Sequence, residues 1–542
     1  MNTTDDLFRR LEQLNEIGAA LSSERDITRL LEKILDAAKT ITHADGGTLY
    51  RRSPDGASLA FEIVRTDSLG IRMGGASGTP IDFPPVPLRD ETGAPNNSMV
   101  AAWCALHEKS VNIADAYEAQ GFDFSGTRKF DARTGYRSKS FLTVPMKNHE
   151  AEVIGVLQLI NCTDAATGAV VPFSEADHRL AESLASQAAI ALTNRQLIVQ
   201  LEELFESFIR LINLAIDEKS HYTGGHCQRV PVLTMMLAEA VNDTTTGPLA
   251  DFTMTDQDRY ELKIAGLVHD CGKVTTPVHV VDKSTKLETL FDRVHQLDTR
   301  FEVLERDAEI AMLRARLALR EERDAAAESQ LETHFENRVR QLREERAFLH
   351  HCNVGVEAMS PEDQERVGRI GRGYRWTTEG REENFLSEEE IENLSIRAGT
   401  LTKAEREIIN YHIVATIKML EALPWPRHLA NVPEYAGGHH ERMDGKGYPR
   451  GLTRDQMSVQ ARVMGIADIF EALTAKDRPY KSGKTLTESL NILGKMKLGG
   501  HVDPDLFDVF VRRKVYLKYA ETFLDPRQID AVDEARIPGY MP

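Results

Sequence analysis

Cysteine is scarce in this sequence of 542 residues: there are five, Cys104, Cys162, Cys227, Cys271 and Cys352, and no two stand at pair or finger spacing. That pattern excludes a disulfide framework and a thiolate zinc knot, and it points to reduced thiols. Cys227 and Cys271 adjoin residues singled out below and read as small buried apolar side chains. Long hydrophobic runs are missing too. None approaches the ~20 residues that span a bilayer, and the polar start Met1-Asn2-Thr3-Thr4-Asp5-Asp6 is no secretory signal. A cytoplasmic protein with no membrane partner is expected. Basic residues are in deficit, 66 Lys plus Arg against 84 Asp plus Glu, for a net charge of −18. This argues against a general nucleic-acid-binding surface, so phosphate recognition has to be local.

What is present describes a globular chain, with 41% hydrophobic and 28% charged residues and a length that predicts two or three domains. Chemistry concentrates in His439-His440-Glu441-Arg442-Met443-Asp444-Gly445-Lys446-Gly447-Tyr448-Pro449. Upstream, His269-Asp270 closes an apolar helical run, and single histidines stand at His226 and His412; downstream, Asp468 interrupts an apolar helix. Each histidine alone reads as a satisfied core side chain. Together, imidazoles and carboxylates without thiolates suit borderline ions such as iron, manganese or zinc. An Asp directly after a His can bridge two ions, and a pair roughly 3.5–4 Å apart activates water against a phosphoryl group. The set therefore points to phosphoester hydrolysis.

The ordered motifs resemble the HD-GYP family, a branch of the HD-domain phosphohydrolases that act on cyclic dinucleotides, above all cyclic di-GMP. The carriers are Tyr222-Thr223-Gly224-Gly225-His226 with Arg229-Val230, His269-Asp270-x-Gly-Lys273, Asp282-Lys283, Leu401-Thr402 to Glu405 with His412, His439-His440-Glu441-x-x-Asp444-Gly-x-Gly447-Tyr448-Pro449, Ala461-Arg462, Ala467-Asp468, and Asp477-Arg478-Pro479-Tyr480-Lys481. The resemblance covers about 205–290 and 397–515. It implies His226, His269, Asp270, His412, His439, His440 and Asp468 as metal ligands, with Asp270 as the bridge. Lys273, four residues after His269 and so on the same helical face, is implied to act on phosphate charge or on the leaving alkoxide. Arg478, Lys481, Asp444 and Tyr448 are implied at the substrate, and Gly445, Gly447, Tyr448 and Pro449 shape the loop there. Some relatives bind a third ion through a carboxylate ahead of the first His. Here Ser220 takes that place, with Asp217 and Glu218 further back, so two or three ions remain open. The implied activity is opening of a cyclic dinucleotide to the linear dinucleotide or on to mononucleotide. A mixed cyclic GMP-AMP substrate and a catalytically silent receptor are the alternatives.

Ahead of this, apolar residues recur at three and four from about Leu7 to Lys39, predicting a helix. Strands are predicted at Asp45 to Arg51, Leu59 to Val64, Ser140 to Met146 and Val153 to Ile160, with a turn at Ser53-Pro54-Asp55-Gly56. The segment resembles a GAF domain, the small-molecule sensor found in cyclic-nucleotide phosphodiesterases, over about 25–195. Val111 to Tyr117, Asp131-x-x-Thr134-Gly135-Tyr136-Arg137-x-x-Ser140 and Val153 to Asn161 carry that likeness. Cyclic-nucleotide-responsive members share an Asn-Lys, Phe, Asp-Glu pattern. Asn161, Phe173 and Asp177 fit it, while Cys162 replaces the Lys and His178 the Glu. A cyclic nucleotide, another small molecule, or a purely structural role therefore stay open.

From Ser174 to Ile216 an apolar stripe runs without Pro or Gly, too long for one small domain to cover. It predicts a connector paired with its copy in a homodimer. Residues 284–398 depart from the HD-GYP pattern: 298–349 predict a helical hairpin and 353–396 a looser stretch, fitting a lid, a dimer arm or a partner platform. The expected fold is multidomain, with an α+β sensor domain over 1–195, a connecting helix over 174–216, an all-α HD-GYP domain over 205–290 and 397–530, and a helical insertion over 291–396.

Overall fold

The computed structural model describes residues 12–542 apart from 13, 22, 25, 91, 220–224, 320–324, 356–357, 379 and 476–482. The chain divides into two units, Met1–Leu204 and Phe205–Pro542.

The first unit is α+β. Helix α1 (Ile27–Thr42) starts where the Asp26 carboxylate accepts from Arg29 N, 2.8 Å, and buries Leu30, Leu31, Ile34, Leu35 and Ala38 along one face. Residues 14–21 are helical as well. The single helix expected over 7–39 is thus corrected: extended Asp26 is a cap, and a cap side chain that satisfies a helix N-terminus also marks a break before it. Strands β1 (Ala44–Arg52), β2 (Ser58–Thr66), β3 (Ile71–Gly74), β4 (Val86–Pro87), β5 (Val111–Ile113), β6 (Phe141–Lys147), β7 (Val153–Thr163) and β8 (Val170–Val171) form one antiparallel sheet of order β3-β2-β1-β7-β6-β5. Central β7 is buried on both faces, which is why it reads as a continuous apolar run. Helix α2 (Val100–His107) packs Ala102, Cys104 and Ala105 on Tyr50, Leu59 and Val156. Helix α3 (Ser125–Thr134) is tied down by Asp131, which accepts from Tyr117 Oη and Ser138 Oγ, both at 2.7 Å. On the opposite face, α1 and the start of α4 (Glu175–Lys219) cover Leu49, Leu142, Val144, Leu157 and Leu159. Gly47 permits that packing, because a Cβ there would stand 2.7 Å from Leu35 Cδ1.

The Asn, Phe and Asp of the cyclic-nucleotide pattern have local work in this unit. Asn161, at φ 59°, accepts from Lys139 N at 2.7 Å and donates to Arg137 O at 2.8 Å. Phe173 is core, and Asp177 accepts from Ser174 N and Oγ at the start of α4.

The second unit is helical. Helices α5 (His226–Asn242), α6 (Asp256–Val268), α7 (Val294–Leu319), α8 (Ala325–Asn353), α9 (Pro361–Gly373), α10 (Glu388–Leu394), α11 (Lys403–Glu421), α12 (Val432–Gly437), α13 (Val459–Thr474), α14 (Leu486–Leu498), α15 (Pro504–Arg512) and α16 (Val515–Phe523) account for most of it. One core joins Leu233, Leu237, Leu262, Ala265, Val463, Ala467, Phe470 and Phe510. A second core, of Phe301, Leu342, Leu349, Val367, Ile370, Phe385 and Leu386, belongs to the insertion.

The helical hairpin expected over 298–349 is the α7–α8 pair. The looser stretch expected over 353–396 is corrected: it holds α9, a hairpin of β9 (Arg375–Thr378) and β10 (Arg381–Asn384), and α10. Its signals were local. Ser360 caps α9 with Pro361 in the first turn, and Ser387 and Glu390 form a capping box on α10. The insertion also closes on itself at its root. Lys286 N donates to Asn353 O at 2.8 Å, Thr400 Oγ1 donates to Lys283 O at 2.9 Å, and Lys283 Nζ joins Asn393 Oδ1 at 2.9 Å to Glu405 at 2.8 Å. With both ends held together, the extra chain adds little closure entropy to the fold around it.

Candidate metal centre

Five elements bring the candidate ligand side chains together. His226 opens α5; α6 ends at Val268 and hands over to His269 and Asp270; His412 lies on α11; His439 and His440 follow α12; Asp468 lies on α13. His269, Asp270, His412 and His439 are at most 4% exposed, and Asp468 is 9%. Buried imidazoles need a defined tautomer, and backbone carbonyls set it here. Nδ1 of His269, His412 and His439 donates to Gly266 O, Ile409 O and Ala436 O at 2.7, 2.5 and 2.6 Å. Each Nε2 lone pair is left pointing inward.

The inward atoms form two groups around Asp270. Its Oδ2 lies 3.2 Å from His226 Nε2 and 3.3 Å from His269 Nε2, while its Oδ1 lies 3.3 Å from His412 Nε2. Asp468 Oδ1 is 3.2 Å from His226 Nε2, and His440 Nε2 is 3.1 Å from His412 Nε2. Candidate ligand atoms of His226, His269 and Asp468, of His412, His439 and His440, and of His269, Asp270 and His439 each fall within 4.8 Å of one another. Nε2 of His226, His269 and His439 and Oδ1 of Asp270 are buried without a hydrogen-bond partner. Such orphans each cost about 1–3 kcal/mol when nothing compensates them. Nitrogen and carboxylate donors facing one another across so short a gap fit divalent cations, which would turn that cost into ligation.

The electrostatics agree. Burial opposes ionisation of Asp270, but Lys273 and His269 outweigh it and hold the carboxyl well below the usual carboxylate range. Asp468 is likewise held down against burial, chiefly by His226. Burial and His269 push His439 down to about 4, keeping it a neutral donor. Burial pushes the Cys227 and Cys271 thiols up to about 12 and about 11, so neither is a thiolate at neutral pH.

Lys273 reaches the site by a route other than the expected helical face. The α-helix stops at Val268, and Cys271–Thr275 is a 3-10 turn. The Lys273 ammonium therefore folds back on Asp270 Oδ2 at 2.5 Å. Tyr448 stacks on His440 with centroids 4.8 Å apart and planes at 22°, and it lines the adjoining cavity. Asp444 is engaged within its own loop, accepting from Arg442 Nε and Nη2 at 3.0 and 2.8 Å and from Lys446 N at 3.0 Å. These bonds brace the loop that carries Lys446 and Tyr448. Arg478, Lys481, Ser220 and Tyr222-Thr223-Gly224 lie outside the described residues. Asp217 has a buried carboxylate oxygen without a hydrogen bond, and it interacts electrostatically with His226 and Lys273.

Sequence reading passed over Glu471. It is fully buried, contacts His226 Nδ1, and accepts from Arg229 Nε at 2.7 Å. This carboxylate aims the His226 ring, the support that ligating imidazoles usually have. The signal was Asp468-x-x-Glu471, two carboxylates three apart on one face of an apolar helix.

A sheet-based α+β unit is thus followed by a helical unit with a histidine–carboxylate centre. Comparison with known families says the same. Residues 26–192 match the GAF domain, and residues 223–364 and 389–506 match two descriptions of the HD domain. The chain carries a GAF domain followed by an HD domain. It is 47% identical over 81 residues to a 3'3'-cGAMP-specific phosphodiesterase of Vibrio cholerae, covering 15% of this chain and 19% of that protein. It is 36% identical over 116 residues to a cyclic di-GMP phosphodiesterase of Pseudomonas aeruginosa, covering 21% and 27%. The chain thus spans 19–27% of the length of the curated relatives it first matches. Among solved structures, a GAF domain of an Acinetobacter phosphoenolpyruvate-protein phosphotransferase is 16% identical over 37% of this chain and 99% of its own, with a TM-score of 0.26. Among the described residues, no helix is long and apolar enough to cross a membrane.

Proposed function

We propose that this chain is a metal-dependent phosphodiesterase that opens a cyclic dinucleotide, cyclic di-GMP in the first reading, to the linear dinucleotide or on to GMP. The observation that carries it is the pair of inward-facing histidine groups on either side of Asp270. His226, His269, Asp270, His412, His439, His440 and Asp468 would hold divalent ions, iron or manganese before zinc and two or three in number, which would supply Lewis acidity and activate water. The chain's own groups do the rest. Asp270 presents one oxygen to each histidine group, Glu471 holds the His226 ring, and Tyr448 walls the cavity beside His440. Burial opposes the charge on Lys273, but Asp270 and Asp468 outweigh it, so the ammonium stays protonated at neutral pH. Its role in this reading is to meet phosphate charge or to hand a proton to the leaving oxygen. A mixed cyclic GMP-AMP substrate is the second reading, favoured by the 47% identity to a 3'3'-cGAMP-specific enzyme. Metal analysis of anaerobically purified protein, with a turnover screen over several cyclic dinucleotides, tests both. Metal-loaded protein that hydrolyses none of them would leave the silent receptor.

Lys273→Ala is expected to keep its metal and lose about a hundred- to a thousand-fold in turnover number, the ~2.7–4 kcal/mol of one well-placed electrostatic partner. Wild-type turnover in a metal-replete Lys273→Ala protein would reduce the side chain to a structural counter-ion of Asp270.

Regulation through the GAF domain and a homodimer belongs to the same reading. Exposed Ile190, Leu197, Leu204 and Leu211 recur every seven residues along α4, with Leu201 and Phe208 exposed between them. This is a heptad stripe with Leu at d, and exposed Asn194 takes an a position, where a polar residue specifies register and a parallel pair. Light scattering should give twice the 60.7 kDa chain mass, and Leu201→Glu should shift it toward the monomer. A monomeric wild type at micromolar concentration would remove the dimer. The five cysteines are all free and buried, which supports work in a reducing cytoplasm.

A further inference from the structure

Beside the metal centre lies a cavity of about 470 Å3, a size that takes a nucleotide-scale ligand. His439, His440 and Asp468 line it as part of that centre, but Arg442, Lys446 and Lys484 line it too, and the chemistry at the ions leaves all three unused. Asp468 is the sole carboxylate among the described lining residues. In a chain of net charge −18, cations gathered around one cavity favour an anion there.

The three cations differ in how they are held. Arg442 is committed to Asp444 through two bonds, at 3.0 and 2.8 Å, and to Gly499 O at 3.3 Å. Asp444 also accepts from Lys446 N at 3.0 Å, so the Arg442–Asp444 pair braces the backbone that presents Lys446. The Lys446 side chain is 78% exposed, and its ammonium stands 4.0 Å from a carboxylate already shared with Arg442. Two residues further on, Tyr448 stacks on His440, which ties this loop to the metal centre. Lys484 reaches the same cavity where the chain returns after α13, anchored by its backbone N on Leu473 O at 3.0 Å.

Building on the phosphodiesterase reading, we propose that Lys446 and Lys484 form a second phosphate subsite, which receives the phosphodiester of a cyclic dinucleotide that is not being cleaved. A cyclic dinucleotide carries two phosphodiesters of one negative charge each, and only one of them sits at the ions. The other loses water as the ring enters the cavity, a loss that charge-assisted hydrogen bonds to two ammonium groups offset. A cyclic mononucleotide has a single phosphate and gains nothing from this subsite. Lys446 and Lys484 thus select the class of substrate, while the metal centre sets the reaction.

The test compares the metal-loaded full-length protein with Lys446→Gln/Lys484→Gln and with Lys446→Arg, on cyclic di-GMP, cyclic GMP-AMP and bis(p-nitrophenyl) phosphate, which has one phosphate. The double variant should raise KM for the cyclic dinucleotide about tenfold or more, the scale of one hydrogen bond to a charged group. Its KM for bis(p-nitrophenyl) phosphate, its metal content and its thermal midpoint should match wild type, and Lys446→Arg should stay near wild type on every substrate. An unchanged KM for the cyclic dinucleotide overturns the subsite, as does an equal rise on both kinds of ester, which would mark a general field effect. Wild-type hydrolysis of bis(p-nitrophenyl) phosphate with no turnover of any cyclic dinucleotide would instead sink the substrate reading, and the subsite with it.

Discussion

Asp270→Asn is expected to abolish metal binding and hydrolysis together while the fold survives. The substitution keeps the shape of the side chain and removes its charge, and that charge faces both histidine groups, with Oδ2 3.2 Å from His226 and Oδ1 3.3 Å from His412. An amide cannot offer an anionic oxygen to each side, and it leaves the half-buried Lys273 ammonium without its carboxylate at 2.5 Å. The loss in turnover should exceed the roughly thousand-fold that removal of one electrostatic contact costs, because the activating ions go too. Two measurements separate this from unfolding. Far-ultraviolet circular dichroism should be unchanged, and added metal should raise the thermal midpoint of wild type but not of the variant, since only a ligand of the folded state stabilises it. A variant that retains metal and activity would show that Asp270 is no bridge.

Several features of the fold were legible in short stretches of sequence. Strand-forming composition and turn chemistry locate β1, β2, β6 and β7, and the buried β7 reads as one continuous apolar run. The stripe from Ser174 onward locates α4. The histidines were legible by type, since few structural needs place His beside His or His beside Asp in apolar helices. What escaped depends on context. Lys273 was assigned to a helical face, yet the helix ends one residue before His269 and a 3-10 turn redirects the ammonium onto Asp270. Glu471 was passed over because an acid near the end of a helix ordinarily faces solvent; only the fold brings Arg229 and His226 to it. The stretch 353–396 looked loose because part of its core is borrowed: Phe385 packs on Phe301 of α7, ring centroids 4.5 Å apart, and the same core takes in Leu342 and Leu349 of α8. The bonds of Asp444 to Arg442 and Lys446 are likewise invisible in a motif.

Gly272→Ala should be the most destructive conservative change in the HD domain. Gly272 lies in the 3-10 turn between Asp270 and Lys273, and its N–H donates to Thr416 Oγ1 of α11 at 2.9 Å. A Cβ at this position would overlap the backbone oxygen of His412 and stand 2.5 Å from Thr416 N and 2.7 Å from Thr416 Oγ1. Two of those atoms are backbone, so no rotamer change relieves the clash, and α11 has to move away from the turn. That helix carries His412, whose Nε2 lies 3.3 Å from Asp270 Oδ1 and 3.1 Å from His440 Nε2. A shift of about an ångström would break both relations, so the variant should lose stability and metal affinity together. Overpacking of this kind costs about 1–3 kcal/mol and occasionally more, and a clash with a helix backbone belongs at the upper end. Gly373→Ala is the control, since a Cβ there meets nothing within 4 Å. Urea unfolding midpoints and metal content of the two variants decide the matter. A Gly272→Ala protein as stable and as metal-replete as Gly373→Ala would mean that the turn and α11 do not approach as closely as this packing requires.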